Sequence, residues 1–339
     1  MTGNEWARMT RRDFVGLGIA SLVASRSALP AAAAAPRGTL RLGLVGAGTR
    51  GAAWVPRLAA PGVAWRAVAE PDDRRLRAVL HRCAEGGAFP VACGDAEIVA
   101  DPGVDAVVVA APAARAVAVA TAACAAGKDV LWDGPLPGDR GAIERLVRAA
   151  AERGSLVQCF TPALGDAEHL RLVDLATREG APRVRLEIMD PGPDASLLSP
   201  SLLDELSVAV AMMRGAEPRE MHVARGAGWD PATKRVIART GVWCDFDDGA
   251  RIEVALSHLH EGALRVASLA LQTPGSSRLV ARRGMDADPN ADAHAAALLG
   301  DNFVRAARSR QPQALLSPLS VNLSAQVIRW NANEALASL

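Results

Sequence analysis

The chain has no tyrosine among its 339 residues, and aromatic side chains make up only 4% of it. No phenol can therefore serve as proton donor anywhere in the protein. Neither charge is in excess: 38 Lys and Arg balance 37 Asp and Glu, a formal charge of +1. That excludes the electrostatic footprint of a nucleic-acid binder or of a protein held on an anionic membrane. The five cysteines (Cys83, Cys93, Cys124, Cys159, Cys244) form no C-x-x-C pair, and their number is odd. Neither a zinc site nor a disulfide framework is indicated, and they read as small buried hydrophobes. No stretch approaches the roughly 20 apolar residues that a membrane span requires. What is present is half hydrophobic, and the chain is long enough for two domains of about 100–200 residues each.

The N-terminus carries an address. Thr10-Arg11-Arg12-Asp13-Phe14 opens an apolar run from Val15 to Val23, followed by the small-residue zone Ala31 to Ala35. A charged start, a short apolar core and small residues make a secretory signal, and the paired arginines point to the twin-arginine route. The expectation is a signal over residues 1–35 and a periplasmic or secreted protein. That route exports folded proteins, which suits a chain that captures its cofactor first.

Leu40 to Val45 reads as a short buried strand running into Gly46-Ala47-Gly48-Thr49-Arg50-Gly51 and then a helix with Trp54, Val55 and Leu58 on one side. G-x-G-x-x-G between a strand and a helix is a dinucleotide turn. Gly46 permits the tight turn, Gly48 lets backbone approach a pyrophosphate, and Gly51 allows helix and strand to pack. The helix N-terminus offers N–H groups and positive dipole to phosphate. A second strand, Val63 to Ala69, ends at Glu70, near the position whose carboxylate takes the adenosine ribose hydroxyls and repels a 2′-phosphate. That favours NAD; Arg74 and Arg75, close behind, suit NADP instead.

Helices at Ala96–Ala100, Ala113–Ala126 and Arg140–Arg153 alternate with apolar strands at Val104–Ala110, Lys128–Trp132 and Leu156–Phe160. Continuous apolar strands between helices require a sheet covered on both faces, hence a doubly wound parallel sheet. After Phe160 the pattern changes. A helix is expected over Ala167–Glu179, a strand over Arg183–Met189, and a helix over Leu202–Met213. Strands follow at Met221–Arg225, Gly241–Phe246, Arg251–His258, Ala263–Gln272 and Arg278–Ala281, with Asp247-Asp248-Gly249 as a hairpin turn. Helices over Ala293–Arg308 and Val321–Leu336 close the chain. The fold class is α/β: a Rossmann domain over residues 36–160, then an α+β domain over 161–339 with an open, mostly antiparallel sheet whose exposed face suits a homo-oligomer.

These residues together resemble the glucose–fructose oxidoreductase, inositol dehydrogenase and MocA-like (Gfo/Idh/MocA) family. The resemblance rests on the twin-arginine start, Leu44 to Gly51, the Ala-Asp-Pro-Gly-Val-Asp run at 100–105, and Ala126 to Leu136. The helix end from Asn302-Phe303 to Arg308-Ser309-Arg310 adds to it. It implies NAD as cofactor and a sugar or polyol as substrate. By resemblance the cofactor is held by Gly46, Gly48, Thr49, Arg50, Gly51, Glu70, Ala111, Pro112, Asp133 and Pro135.

The chain departs from the family at its working positions. Where members carry Glu-Lys-Pro after the fifth strand, with the Lys on substrate and nicotinamide ribose, it has Asp133-Gly134-Pro135. The Thr-Pro start and the His after the fourth strand become Ala111-Pro112 and Ala116. The family's Asp, its His four residues on and its next acid become Asp204, Val208 and Ala211. Removing hydride from an alcohol leaves a proton for a positioned base, typically worth about 10²–10⁴-fold in rate; Gly, Ala and Val supply none. Asp133 is a candidate weak base, Arg115 a candidate holder of an anionic substrate, and Asp204 a candidate partner of a sugar hydroxyl. Each also reads structurally, as strand-end cap, solvated charge and helix cap. His258 and His260 alternate on one strand without a third ligand, so no metal site is expected. His169 reads as a solvated helix residue, and Trp229 and Trp243 as packing residues.

Three functions are consistent with this pattern. One is an oxidoreductase for a sugar or polyol with altered proton handling. Another is a non-catalytic nucleotide-binding or partner protein on the same fold. The third, a redox-neutral glycosidase cycling bound NAD, ranks last because that chemistry commonly uses a tyrosine. Outside its signal the protein is expected to engage no membrane.

Overall fold

The computed structural model describes residues 5–10, 38–134, 136, 139–190, 200–213, 216, 218–230, 235–258, 266–275, 277–283 and 291–338. They fall into two compact units. The first strand, β1 (Glu5–Thr10), belongs to the second unit's sheet.

From Leu40 the chain builds the nucleotide unit: β2 (Leu40–Val45), α1 (Thr49–Arg57), β3 (Val63–Ala69), α2 (Asp73–Glu85), β4 (Val91–Ala92), α3 (Asp95–Ala100), β5 (Ala106–Val109), α4 (Ala113–Ala125), β6 (Asp129–Trp132), α5 (Arg140–Arg153) and β7 (Val157–Cys159). The six strands pair in the order β4-β3-β2-β5-β6-β7, parallel throughout. β5 and β6 are buried along their whole length, as strands covered on both faces must be. Aspartates start two of these helices: Asp72 accepts from Arg75 N at 2.9 Å and Asp139 from Ala142 N at 3.1 Å, supplying partners for orphan N–H groups. Gly154, in the left-handed region at φ +61°, ends α5.

The second unit begins at Pro162. It contains α6 (Ala167–Glu179), β8 (Arg183–Asp190), α7 (Pro200–Met212), β9 (Glu220–Asp230), β10 (Arg235–Asp245), β11 (Arg251–His258), β12 (Val266–Gln272) and β13 (Ser277–Arg283). Its seven-stranded sheet runs β1-β9-β10-β11-β8-β12-β13. Every pairing is antiparallel except β8 with β11, so the sheet is mixed. One face is apolar in register: Val184, Leu186 and Ile188 align with Ile252, Val254 and Leu256 and join one core with Val208, Val210 and Met212 of α7. The opposite face is rich in charge. The expected hairpin joins β10 to β11, with Gly249 at φ +82° and Asp248 accepting from Ala250 N at 3.0 Å.

α8 (Ala291–Ser309) does not stay with the second unit. From His294 to Leu319 the chain returns to the first, where Ala296, Phe303, Val304 and Ala307 pack in one core with Leu40, Leu44, Trp54 and Leu58. The Arg310 guanidinium fastens this return, its Nη1 lying 2.7 and 2.8 Å from the two oxygens of fully buried Asp129. The last helix, α9 (Leu319–Ala337), puts Val321, Ala325, Ile328 and Ala332 into the second unit's core. Among the described residues no helix is long and apolar enough to cross a membrane.

Candidate functional site

The site of the nucleotide unit grows from the point where β2 ends. β3 and β5 flank β2, so the strand order reverses there, and the carboxyl edge at such a switch point is where an open α/β sheet forms its crevice. Gly46 turns the chain at φ +89°, and a Cβ on it would lie 2.5 Å from the Ala110 carbonyl oxygen. A Cβ on Gly51 would lie 1.8 Å from Gly46 O, so helix and turn approach at a distance only glycine allows. Gly48 is different: a Cβ there would meet nothing within 4 Å. It is the N-cap of α1, so there is open space beside the start of the helix. A helix N-terminus with open space beside it can receive an anion, and Thr49 and Arg50 stand exposed there.

Glu70, at the end of β3, accepts from Ala47 N at 2.6 Å through one oxygen and from Asp72 N at 3.1 Å through the other. The carboxylate thus fastens the glycine turn to the start of α2. Backbone donation from Arg75 holds the Asp72 carboxyl below the usual carboxylate range. Arg74 and Arg75 are exposed on the first turn of α2. Ala111 packs its backbone against Gly46, and Pro112 is the N-cap of α4.

Arg115 lies near the end of β3. Its guanidinium makes a bidentate pair with Asp95 at 2.6 and 2.8 Å and reaches Ala69 O at 3.5 Å. The hydrogen bond to Asp95 is the main cause that raises its pKa above the usual guanidinium value. The anchor for an anionic substrate expected from sequence is therefore a fork already filled by a carboxylate of its own unit.

Asp133 marks the other side of the crevice. Its N–H donates to Val109 O at 2.8 Å just beyond β6, and its side chain is 3% exposed. One oxygen pairs with Arg50 and the other accepts from Trp54 Nε1 at 2.7 Å. Trp54 is fully buried and stacks edge-on against Phe160 at 5.3 Å. Both Asp133 oxygens are thus met by α1, an arrangement the sequence reading missed. Its signal was the spacing of Arg50 and Trp54, four residues apart on one helix face. At Gly134 a Cβ would meet only Trp132 Nε1, at 3.6 Å, with φ at +156°. Ala116 is buried in α4. Pro135 lies outside the described residues.

In the second unit Asp204 is half-buried in the early part of α7. Val208 is fully buried in that unit's core, and Ala211 packs partly buried against the same core. His169, expected to be solvated, is 1% exposed. Its Nδ1 is 3.0 Å from Ala163 O, and its Nε2 faces Glu205 at 3.6 Å. His169, Leu172 and Ala176 form the buried stripe of α6, so the spacing itself carried this signal. On the charged face of the sheet Trp243 covers Gly241 within an open hollow of about 390 Å³ rimmed by Arg185, Arg225, Arg239 and Glu253. The side chains of Trp229 and His258, and all of His260, lie outside the described residues.

Residues 40–161 match the model of an oxidoreductase family, GFO_IDH_MocA, with an NAD-binding Rossmann fold. No curated protein matches the chain. Among solved structures it is similar to myo-inositol dehydrogenase from Lactobacillus casei in complex with NAD(H) and myo-inositol. That likeness has 16% identity and a TM-score of 0.68, over 88% of this chain and 95% of the other. Scyllo-inositol dehydrogenase from Lactobacillus casei with NAD(H) and scyllo-inositol gives 15%, 0.66, 88% and 96% in the same order. GenD2 from gentamicin A biosynthesis, in complex with NAD, gives 21%, 0.62, 91% and 95%. At these identities the neighbours establish the fold.

Proposed function

We propose, from the premise that residues 40–161 belong to the NAD-binding Rossmann domain of the Gfo/Idh/MocA oxidoreductase family, that the protein is an exported oxidoreductase whose substrate is a sugar or polyol. One observation carries the reading: the Gly46–Gly51 turn leaves an open cradle at the start of α1, and Glu70 fastens it through Ala47 N. The residues fit NAD. The turn and α1 would take the pyrophosphate, Glu70 the adenosine ribose, and Ala111 and Pro112 the wall between. When bound, NAD supplies the hydride acceptor. The neighbours solved with inositols support a polyhydroxylated substrate. Proton handling differs from the family pattern, because Gly134 and Ala116 replace its Lys and His. NADP, served by Arg74 and Arg75, is the alternative cofactor.

The test begins with the absorbance and mass of any small molecule released when the purified protein is denatured. NAD(H) is expected there, followed by substrate-dependent reduction of NAD on a polyol panel. Absence of nucleotide, together with no affinity for added NADH or NADPH, overturns the reading.

A second reading, a non-catalytic nucleotide-binding or partner protein, is favoured by Val208. At the family's His position it is a fully buried core residue. It predicts NADH binding without turnover on any polyol, and no activity from Gly134→Lys.

Export rests on Arg11-Arg12 and the apolar run behind them; an Arg11→Lys, Arg12→Lys variant should stay in the cytoplasm. A homo-oligomer would use the charged sheet face around Trp243, where arginines and glutamates alternate. Its mass by light scattering should fall in a Trp243→Glu variant.

A further inference from the structure

The carboxylate left beside the missing lysine has a use other than proton transfer. We infer that Asp133 is a positioning residue, which holds the Arg50 guanidinium as a side-chain contact for the pyrophosphate of the bound dinucleotide. The inference rests on the NAD-binding reading above and extends it to two side chains.

Asp133 is a charge its own unit has almost wholly removed from water: its side chain is 3% exposed, whereas that of Arg50 is 56% exposed. Such a carboxylate needs a cationic partner to persist. Arg50 supplies it from the second residue of α1, across 83 positions of sequence. Trp54, one turn further along α1, donates to the second oxygen at 2.7 Å and fixes the carboxylate's orientation. The Asp133 backbone is pinned in turn by its bond to Val109 O.

The guanidinium carries five N–H donors in a rigid fork. One arm of that fork is held on Asp133, and the exposed remainder belongs to the first turn of α1, next to Gly48 at its N-cap. A planar fork at a helix N-terminus matches phosphate oxygens. A carboxylate in this place accepts from Arg50 and from an indole. Protonating it would remove the ion pair that orients the fork, so its arrangement serves binding.

The experiment is a set of titrations of the full-length protein with NADH, ADP-ribose and adenosine, the last lacking any phosphate. Arg50→Ala should weaken NADH and ADP-ribose by about 10–100-fold, the worth of a charged hydrogen bond, and leave adenosine unchanged. The dependence of NADH affinity on salt should flatten as well. Asp133→Asn, which keeps an acceptor for Trp54, should weaken NADH in the parent background and have no further effect once Arg50 is alanine. A single cooperative melting transition well above the assay temperature shows that each variant is folded, even where loss of the ion pair lowers its midpoint.

Unchanged NADH affinity in Arg50→Ala overturns the proposal, as does equal weakening of adenosine. A further loss from Asp133→Asn in the Arg50→Ala background overturns the positioning role. A parent protein that binds none of the three ligands fails at the earlier step and overturns the NAD-binding reading itself.

Discussion

Replacing Arg310 by alanine should destabilise the nucleotide unit by about 3–5 kcal/mol, the typical cost of stranding one partner of a buried ion pair. The magnitude follows from the burial of its partner. Asp129 is 0% exposed, and Arg310 Nη1 donates to both its oxygens at 2.7 and 2.8 Å. Arg310 Nη2 also reaches Gly154 O at 3.2 Å. In the variant the carboxylate keeps the Leu156 N–H at 2.9 Å but loses the guanidinium that meets both its oxygens. The assay is urea unfolding followed by tryptophan fluorescence and by circular dichroism, whose transitions must coincide for a single free energy to apply. With a slope of about 2 kcal/mol per molar urea, a loss of about 4 kcal/mol moves the midpoint by about 2 M. Asp129→Asn keeps an acceptor for Leu156 N and removes the charge. In the Arg310→Ala background it should therefore recover part of the loss, a coupling of about 1–3 kcal/mol. A cost below about 1 kcal/mol for Arg310→Ala, or strict additivity of the pair, would refute the reasoning.

Two further perturbations probe other parts of the structure. Gly51→Ala places a Cβ 1.8 Å from Gly46 O, so NADH titration should detect no binding and the melting midpoint should fall; parent-like affinity contradicts the turn geometry. Burial pushes the Cys124 and Cys159 thiols up to about 12 from the usual 9.0. Unfolded chains ionise these thiols above about pH 9 while the folded protein keeps them protonated. Their contribution is therefore whole below that pH and falls above it, by about 1.4 kcal/mol per thiol per pH unit until about pH 12. Urea midpoints at pH 8, 9.5 and 10.5 should decline accordingly. An equally steep decline in a Cys124→Ala, Cys159→Ala variant would remove the thiols as its cause.

The readable parts of the fold were those whose local chemistry marks their ends. Helices at Arg140–Arg153 and Ala167–Glu179 were located to the residue, because Asp139 and Asp166 cap them and glycines follow. β2 and β3 were equally clear as apolar runs of buried-strand length. α2 escaped because it is mostly solvated, with only Val79 and Cys83 fully buried, which leaves too little apolar period to detect. The two-residue β4 is exposed at the sheet's edge and has no pattern at all. At the site, the glycine turn and Glu70 were legible as a motif. The pairing of Arg115 with Asp95 was not legible, because the two lie on different helices and no sequence spacing brings them together.

The sequence alone determined that a glycine-rich turn follows β2 and leads into a helix, and that its sheet is parallel and covered. These follow from residue type and short-range period, which act within a few turns of chain. Tertiary structure alone decided that α8 crosses back to the nucleotide unit, that β8 pairs in parallel with β11, and that Asp133 is met by Arg50 and Trp54. An apolar helix face fits any complementary core, and a carboxylate accepts from any donor brought near it. Which core and which donor is settled only when segments far apart in the chain compete for the same buried space.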